Sequence, residues 1–155
     1  MKAIVCHELT GPAALRLEEV AEPQPGPGQV RVKVRACGVN FADSLITRGQ
    51  YQLQPQPPFS PGFEVAGEVL ELGAGVTSIT VGDRVIGMAG HGGYAEQALI
   101  DARRCVPMPA AMSFEHGAAF PVVFGTSHIS LWHRARLQAG ETLVVHGASG
   151  GVGLT

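Results

Sequence analysis

Valines and cations alternate through Val30-Arg31-Val32-Lys33-Val34-Arg35. A period of two puts the valines on one face of a β-strand, toward a core, and the charges on the other, toward water. Lys2–Cys6, Arg84–Met88 and residues 15–20 and 95–100 read as further short strands. Residues 63–72 hold another, with Val65, Gly67 and Val69 on one face and Glu64, Ala66 and Glu68 on the other. Gly73-Ala74-Gly75 and Gly82-Asp83 are turn signals between these runs. Short strands at this spacing predict a small β-barrel or sandwich.

The pattern changes after residue 104. Over residues 105–155 only Glu115, Arg134, Arg136 and Glu141 are charged. Ser113, followed by Glu115 and His116, is a helix-capping signal, and Pro121 suits the first turn of a second helix. Phe124, His128, Leu131, Trp132 and Ala135 fall near one face of that helix, which Gly140 should end. His128 on this face reads as a core residue. Thr142-Leu143-Val144-Val145-His146 then resembles a strand buried on both faces of a parallel sheet. The expected fold is thus mainly β, a partly open barrel with a few helices. It is followed by a truncated α/β start of helix, strand and glycine loop.

Composition narrows the function classes. Of the 155 residues 45% are apolar and 15% charged, enough for a core and too few charges for a disordered chain. A net charge of −2 gives no electrostatic case for nucleic acid or an anionic membrane. The start lacks a signal-peptide core, and the longest uncharged stretch is broken by Pro121, Ser127, His128 and Ser130. Cys6, Cys37 and Cys105 form no C-x-x-C pair and read as small buried hydrophobes; the six histidines show no ligand spacing. A soluble cytoplasmic protein is expected.

The sharpest local chemistry is Gly147-Ala148-Ser149-Gly150-Gly151-Val152-Gly153, directly after the apolar strand. Small residues there let backbone N–H groups approach a pyrophosphate at the start of a helix. Against G-x-G-x-x-G, Ala148 takes the first glycine position, while Gly150 and Gly153 match the others. Such a loop alone is weak, since glycine-rich turns are common. The residue about 20 positions on that would read the ribose 2′ position lies outside the chain.

The runs Gly38-Val39-Asn40-Phe41-Ala42-Asp43, Pro61-Gly62-Phe63-Glu64-Val65-Ala66-Gly67, Val81-Gly82-Asp83-Arg84-Val85 and Gly92-Gly93-Tyr94-Ala95-Glu96, with the glycine loop, are more specific together. The chain resembles the N-terminal part of a medium-chain dehydrogenase/reductase, in its zinc-independent quinone oxidoreductase branch. The resemblance implies a GroES-like catalytic domain over residues 1–120 and the beginning of a Rossmann dinucleotide-binding domain over 121–155. Zinc-using members carry a ligand cysteine at the position of Asn40, a ligand histidine at that of Phe63, and a four-cysteine lobe after the G-D-R-V run. None of these is present here. An amide and a phenyl ring cannot replace thiolate and imidazole on zinc, so no metal is expected.

The implied function is an NADPH-dependent quinone or activated-enone oxidoreductase acting by direct hydride transfer, inactive as the 155-residue fragment alone. NADP over NAD is family habit only. Asn40 can donate its amide N–H to a carbonyl oxygen where charge develops, or serve as a turn or helix cap. Tyr51 matches a pocket-lining tyrosine, or packs on the surface; Leu45 stands where some members have a second tyrosine. Asp43 is expected to hold structural hydrogen bonds. Thr126 matches a position that contacts the nicotinamide end, or packs its helix. Ala148, Ser149, Gly150, Gly151, Val152 and Gly153 are the expected cofactor loop. The expected partner is a small quinone or enone, with no nucleic acid and no membrane, and a homodimer for the full-length parent. Rival readings are an enoyl-thioester reductase of the same superfamily and a non-catalytic GroES-like barrel module.

Overall fold

A computed structural model describes all 155 residues, which divide into two compact units, Met1–Ala119 and Phe120–Thr155. In the first unit, β1 (Lys2–Cys6) and β2 (Leu15–Glu19) form an antiparallel pair, and five strands form a curled antiparallel sheet. These are β3 (Gln29–Cys37), β4 (Glu64–Leu72), β5 (Arg84–Met88), β6 (Gln97–Asp101) and β7 (Cys105–Pro107), in the order β6-β3-β4-β5-β7. Bridges from Ala3 to Ala95 and from Cys6 to Phe59 tie the pair to the rest of the unit. Register shifts between Arg31 and Val32 and between Val34 and Ala36 bend β3 against β4. Such shifts curl a sheet toward a half-barrel.

The valine face of β3 behaves as its alternation predicts. Val30 and Val32 join Val65, Val69, Ile79, Val85, Ile100 and Cys105 in the main core. The opposite face is not all water. Helix α1 (Phe41–Ile46) follows β3, and helix α2 (Phe114–Ala118) covers the back of the sheet. There Ala118 and Met108 pack on Ala66 and Ile86. Residues 64–67 of β4 are therefore buried on both faces. The α2 start follows its capping signal, with His116 N–H donating to Ser113 Oγ at 3.2 Å.

In the second unit, α3 (Phe120–His128) runs into a π-helical stretch, Ile129–Ala135. The helix ends before Gly140, because Arg136 itself takes a left-handed conformation, φ 53°. The expected strand at residues 142–146 does not form. Leu143, Val144 and Val145 are 47%, 71% and 47% exposed, and every strand of both sheets belongs to the first unit. A strand needs a hydrogen-bonded neighbour, and none is offered here. For the same reason the aromatic face of α3 is not buried, and His128 is exposed rather than in a core. Phe120 stacks on Phe124 at 4.5 Å, and His128 on Trp132 at 6.4 Å. No helix is long and apolar enough to cross a membrane.

Candidate active site

The expected residues of the first unit converge on the start of α1 and the start of β4. Asn40 caps α1 in an extended conformation. Its backbone N–H donates to Asp43 Oδ2 at 2.8 Å, and the N–H of Asp43 returns to the Asn40 carbonyl oxygen at 3.0 Å. Asp43 Oδ1 accepts the N–H of Gly62 at 3.0 Å. One carboxylate thus joins the helix start to the loop entering β4, the structural role expected of Asp43. It is 5% exposed, and burial pushes its pKa up against the opposing pull of those two N–H groups. The buried Tyr94 hydroxyl lies beside it; burial first, then the Asp43 charge, push the phenol up.

Glu64, not singled out in the sequence, completes the cluster. It is 1% exposed, and Oε1 accepts a hydrogen bond from Asn40 Nδ2 at 2.8 Å. A Cβ on Gly38 would overlap the Glu64 carboxylate, so that glycine provides its space. The Cys37 thiol nearby is pushed up to about 12, by burial first and then by the charges of Asp43 and Glu64. Tyr51, half-buried, meets Phe63 edge-on at 5.2 Å. Asn40 and Tyr51 therefore engage consecutive residues of the Phe63-Glu64 step. Val39 and Phe41, beside Asn40, are 84% and 79% exposed. No group of three or more His, Cys, Asp or Glu side chains is arranged to hold a metal ion.

A hollow of about 490 Å³ elsewhere in this unit is lined by Ala3, Val5, His7, Phe59, His91 and Ala98 among others. None of the expected site residues lines it.

In the second unit the glycine loop opens a short helix, α4 (Gly151–Leu154). Gly150 N–H closes a turn on the Gly147 carbonyl oxygen at 3.0 Å. Two of its glycines leave no room for a side chain. A Cβ on Gly153 would overlap the backbone of Gly147 and Ala148, and one on Gly151 would come within 2.8 Å of Val123 Cγ1. Ser127 Oγ holds α4 to α3 through the Val152 carbonyl oxygen at 3.1 Å. Gly150, Gly151, Val152 and Gly153 line a hollow of about 680 Å³, while Ala148 and Ser149 lie outside it. Thr126 donates its hydroxyl to the Val122 carbonyl oxygen at 2.5 Å, a bond within its own helix.

The family model described as the alcohol dehydrogenase GroES-like domain matches residues 26–110. Quinone oxidoreductase-like protein 2 of Rattus norvegicus is 46% identical over 153 residues, 99% of this chain and 43% of that protein. The human synaptic vesicle membrane protein VAT-1 homolog-like protein superimposes with a TM-score of 0.95 at 37% identity, over 99% of this chain and 50% of that one. The quinone oxidoreductase of Thermus thermophilus, solved also in complex with NADPH, superimposes with a TM-score of 0.86 at 37% identity, over 99% of this chain and 48% of that one. The chain spans about half the length of these relatives.

Proposed function

The chain belongs to the family of alcohol dehydrogenase GroES-like domains, and from that we propose that it is the N-terminal part of an NADPH-dependent oxidoreductase. The substrate in this reading is a quinone or activated enone, reduced by direct hydride transfer without zinc. The observation that carries it is the Asn40 amide anchored on Glu64 beside the Tyr51–Phe63 ring pair. Asn40 and Phe63 take the positions where zinc-using relatives hold ligands, and neither side chain suits that metal. Similarity to a quinone oxidoreductase solved with NADPH supports both substrate class and cofactor.

When bound, NADPH supplies the hydride. The chain's own groups bind and polarise. The second amide N–H of Asn40 donates to the substrate oxygen as negative charge accumulates there. Tyr51, backed by the buried Phe63, gives the ring of a quinone an apolar edge to rest on. Free backbone N–H groups of the loop 148–153, other than that of Gly150, would hold the pyrophosphate, and Thr126 would serve the nicotinamide end. We assign residues 1–120 to the catalytic domain and 121–155 to the start of a Rossmann domain. The cytoplasmic location and the homodimer expected of the parent belong to the same proposal.

The test uses the full-length protein, purified without chelator. NADPH oxidation should depend on para- or ortho-quinones, benzyl alcohol with NADP⁺ should give no useful rate, and metal analysis should find no stoichiometric zinc. Gly153→Val, whose side chain would displace the loop backbone at Gly147 and Ala148, should abolish saturation by NADPH. Alcohol oxidation with inert quinones, or one zinc per chain, would overturn the reading.

A further inference from the structure

We infer that Glu64 is a positioning residue for this reaction: its buried carboxylate fixes the orientation of the Asn40 amide, so that one N–H is spent on Glu64 and the other is presented to substrate. The inference rests on the reading of Asn40 as the donor to the substrate oxygen.

Holding a glutamate at 1% exposure is costly, because a carboxylate loses its hydration on burial and must be compensated by hydrogen bonds. Solvent is available four residues along the strand, where Glu68 is only half-buried and reaches Arg35 at 3.1 Å. Glu64 instead sits where Gly38 leaves room for its carboxylate, and a single methyl group at that glycine would displace it. The Gly38 N–H donates to the Glu64 carbonyl oxygen at 3.1 Å, which holds the end of β3 over the start of β4. Backbone and side chain together therefore fit Glu64 to this spot.

Its chemistry then dictates the amide. Glu64 Oε1 accepts this bond at 2.8 Å, so the end of the Asn40 amide that meets it is the NH₂ group. The two N–H bonds of that group diverge by about 120° in the amide plane, so one pointing at Glu64 directs the other elsewhere. The backbone of Asn40 is held independently, its N–H by Asp43 Oδ2 and its carbonyl oxygen by the Asp43 N–H. With backbone and amide both pinned, the rotational freedom that a half-buried asparagine would lose on meeting its substrate is removed beforehand. Donors fixed in advance are the ones that stabilise developing charge without reorganisation.

The experiment is a double-mutant cycle in the full-length protein, read in steady-state kinetics with a para-quinone and NADPH. Asn40→Ala should lower kcat by roughly a hundredfold, the lower end of the range for losing one charge-stabilising donor. Glu64→Met, which keeps the length of the side chain and removes the acceptor, should lower kcat about tenfold while the quinone KM moves by less than about twofold. Glu64→Gln retains an acceptor oxygen and should restore kcat to within about threefold of wild type. The double variant Asn40→Ala/Glu64→Met should be no slower than Asn40→Ala. Should Glu64→Met fail to fold, Glu64→Ala takes its place in the cycle. A folded Glu64→Met enzyme with wild-type kcat, or one that loses the same factor with Asn40 already removed, refutes the positioning role and leaves the Asn40 reading standing. An Asn40→Ala enzyme with wild-type kcat refutes that reading, and the inference falls with it.

Discussion

Gly62 is the backbone hinge on which the candidate site hangs, and its replacement by alanine separates two costs that usually arrive together. Its φ is 99°, a conformation that L side chains rarely adopt. Its N–H holds Asp43 at 3.0 Å, and its carbonyl oxygen accepts the N–H of Gly93 at 3.1 Å. An added Cβ would come within 2.7 Å of the Tyr94 backbone nitrogen and 2.8 Å of the Gly93 carbonyl carbon. These are main-chain atoms, which cannot swing aside as the end of a side chain can. Backbone strain costs about 1–2 kcal/mol, less the 0.4–1 kcal/mol or so that alanine returns by restricting the unfolded chain. Overpacking against main chain adds about 1–3 kcal/mol, for a total of roughly 1–5 kcal/mol. Gly75 is the control, with φ 81° and nothing within 4 Å of where its methyl group would lie, so Gly75→Ala should cost about 1 kcal/mol or less. Urea unfolding of both variants beside wild type gives the two free energies directly. A Gly62→Ala protein no less stable than Gly75→Ala would show that close packing around Gly62 is not a constraint.

Two further outcomes follow from the buried titratable groups. Burial raises the Asp43 pKa, so folded protein retains this proton where the unfolded chain, titrating near ~4, has lost it. The stability it contributes is therefore complete below that range and is lost as pH rises through the folded value. Asp43→Asn cannot titrate, and its thermal midpoint should gain on that of wild type between about pH 4 and pH 7; a constant gap would refute the assignment. Burial also pushes the thiols of Cys6, Cys37 and Cys105 up, the last two to about 12 and about 11. Iodoacetamide at mildly alkaline pH, mapped by mass spectrometry, should leave all three unmodified until the protein is unfolded, and rapid labelling of native Cys37 would contradict that.

What was legible from sequence was what depends on neighbours in the chain. The alternation in β3 located its buried valines, the Ser113 signal located the start of α2, and Asn40 stood as a candidate helix cap before Phe41. Each of these depends on spacing within one turn or one pleat. Residues 142–146 carried an equally clear strand pattern and formed no strand. An apolar run states that a residue favours a buried sheet, but the ladder itself needs hydrogen bonds from another segment. Pattern measures the tendency; pairing decides the outcome.

Glu64 is the complementary case, a residue whose role no local pattern announces. In an alternating strand a glutamate opposite valines is read as the solvent face, and that holds for Glu68 four residues on. At Glu64 it fails because other parts of the chain cover the same face: Asn40 supplies a hydrogen bond from 24 residues away, and Gly38 leaves the space. A faint sign did exist, since Glu64 is the one charge within Pro61-Gly62-Phe63-Glu64-Val65-Ala66-Gly67, a run otherwise apolar or small enough to be buried on both sides. Such a charge must either break the strand or find a partner, and the choice is made by tertiary contacts that spacing does not encode. The same logic explains why Asn40 was ambiguous between cap and donor. Its backbone does the first task at the start of α1, its side chain is turned by Glu64 toward a second, and nothing in the geometry sets the two against each other.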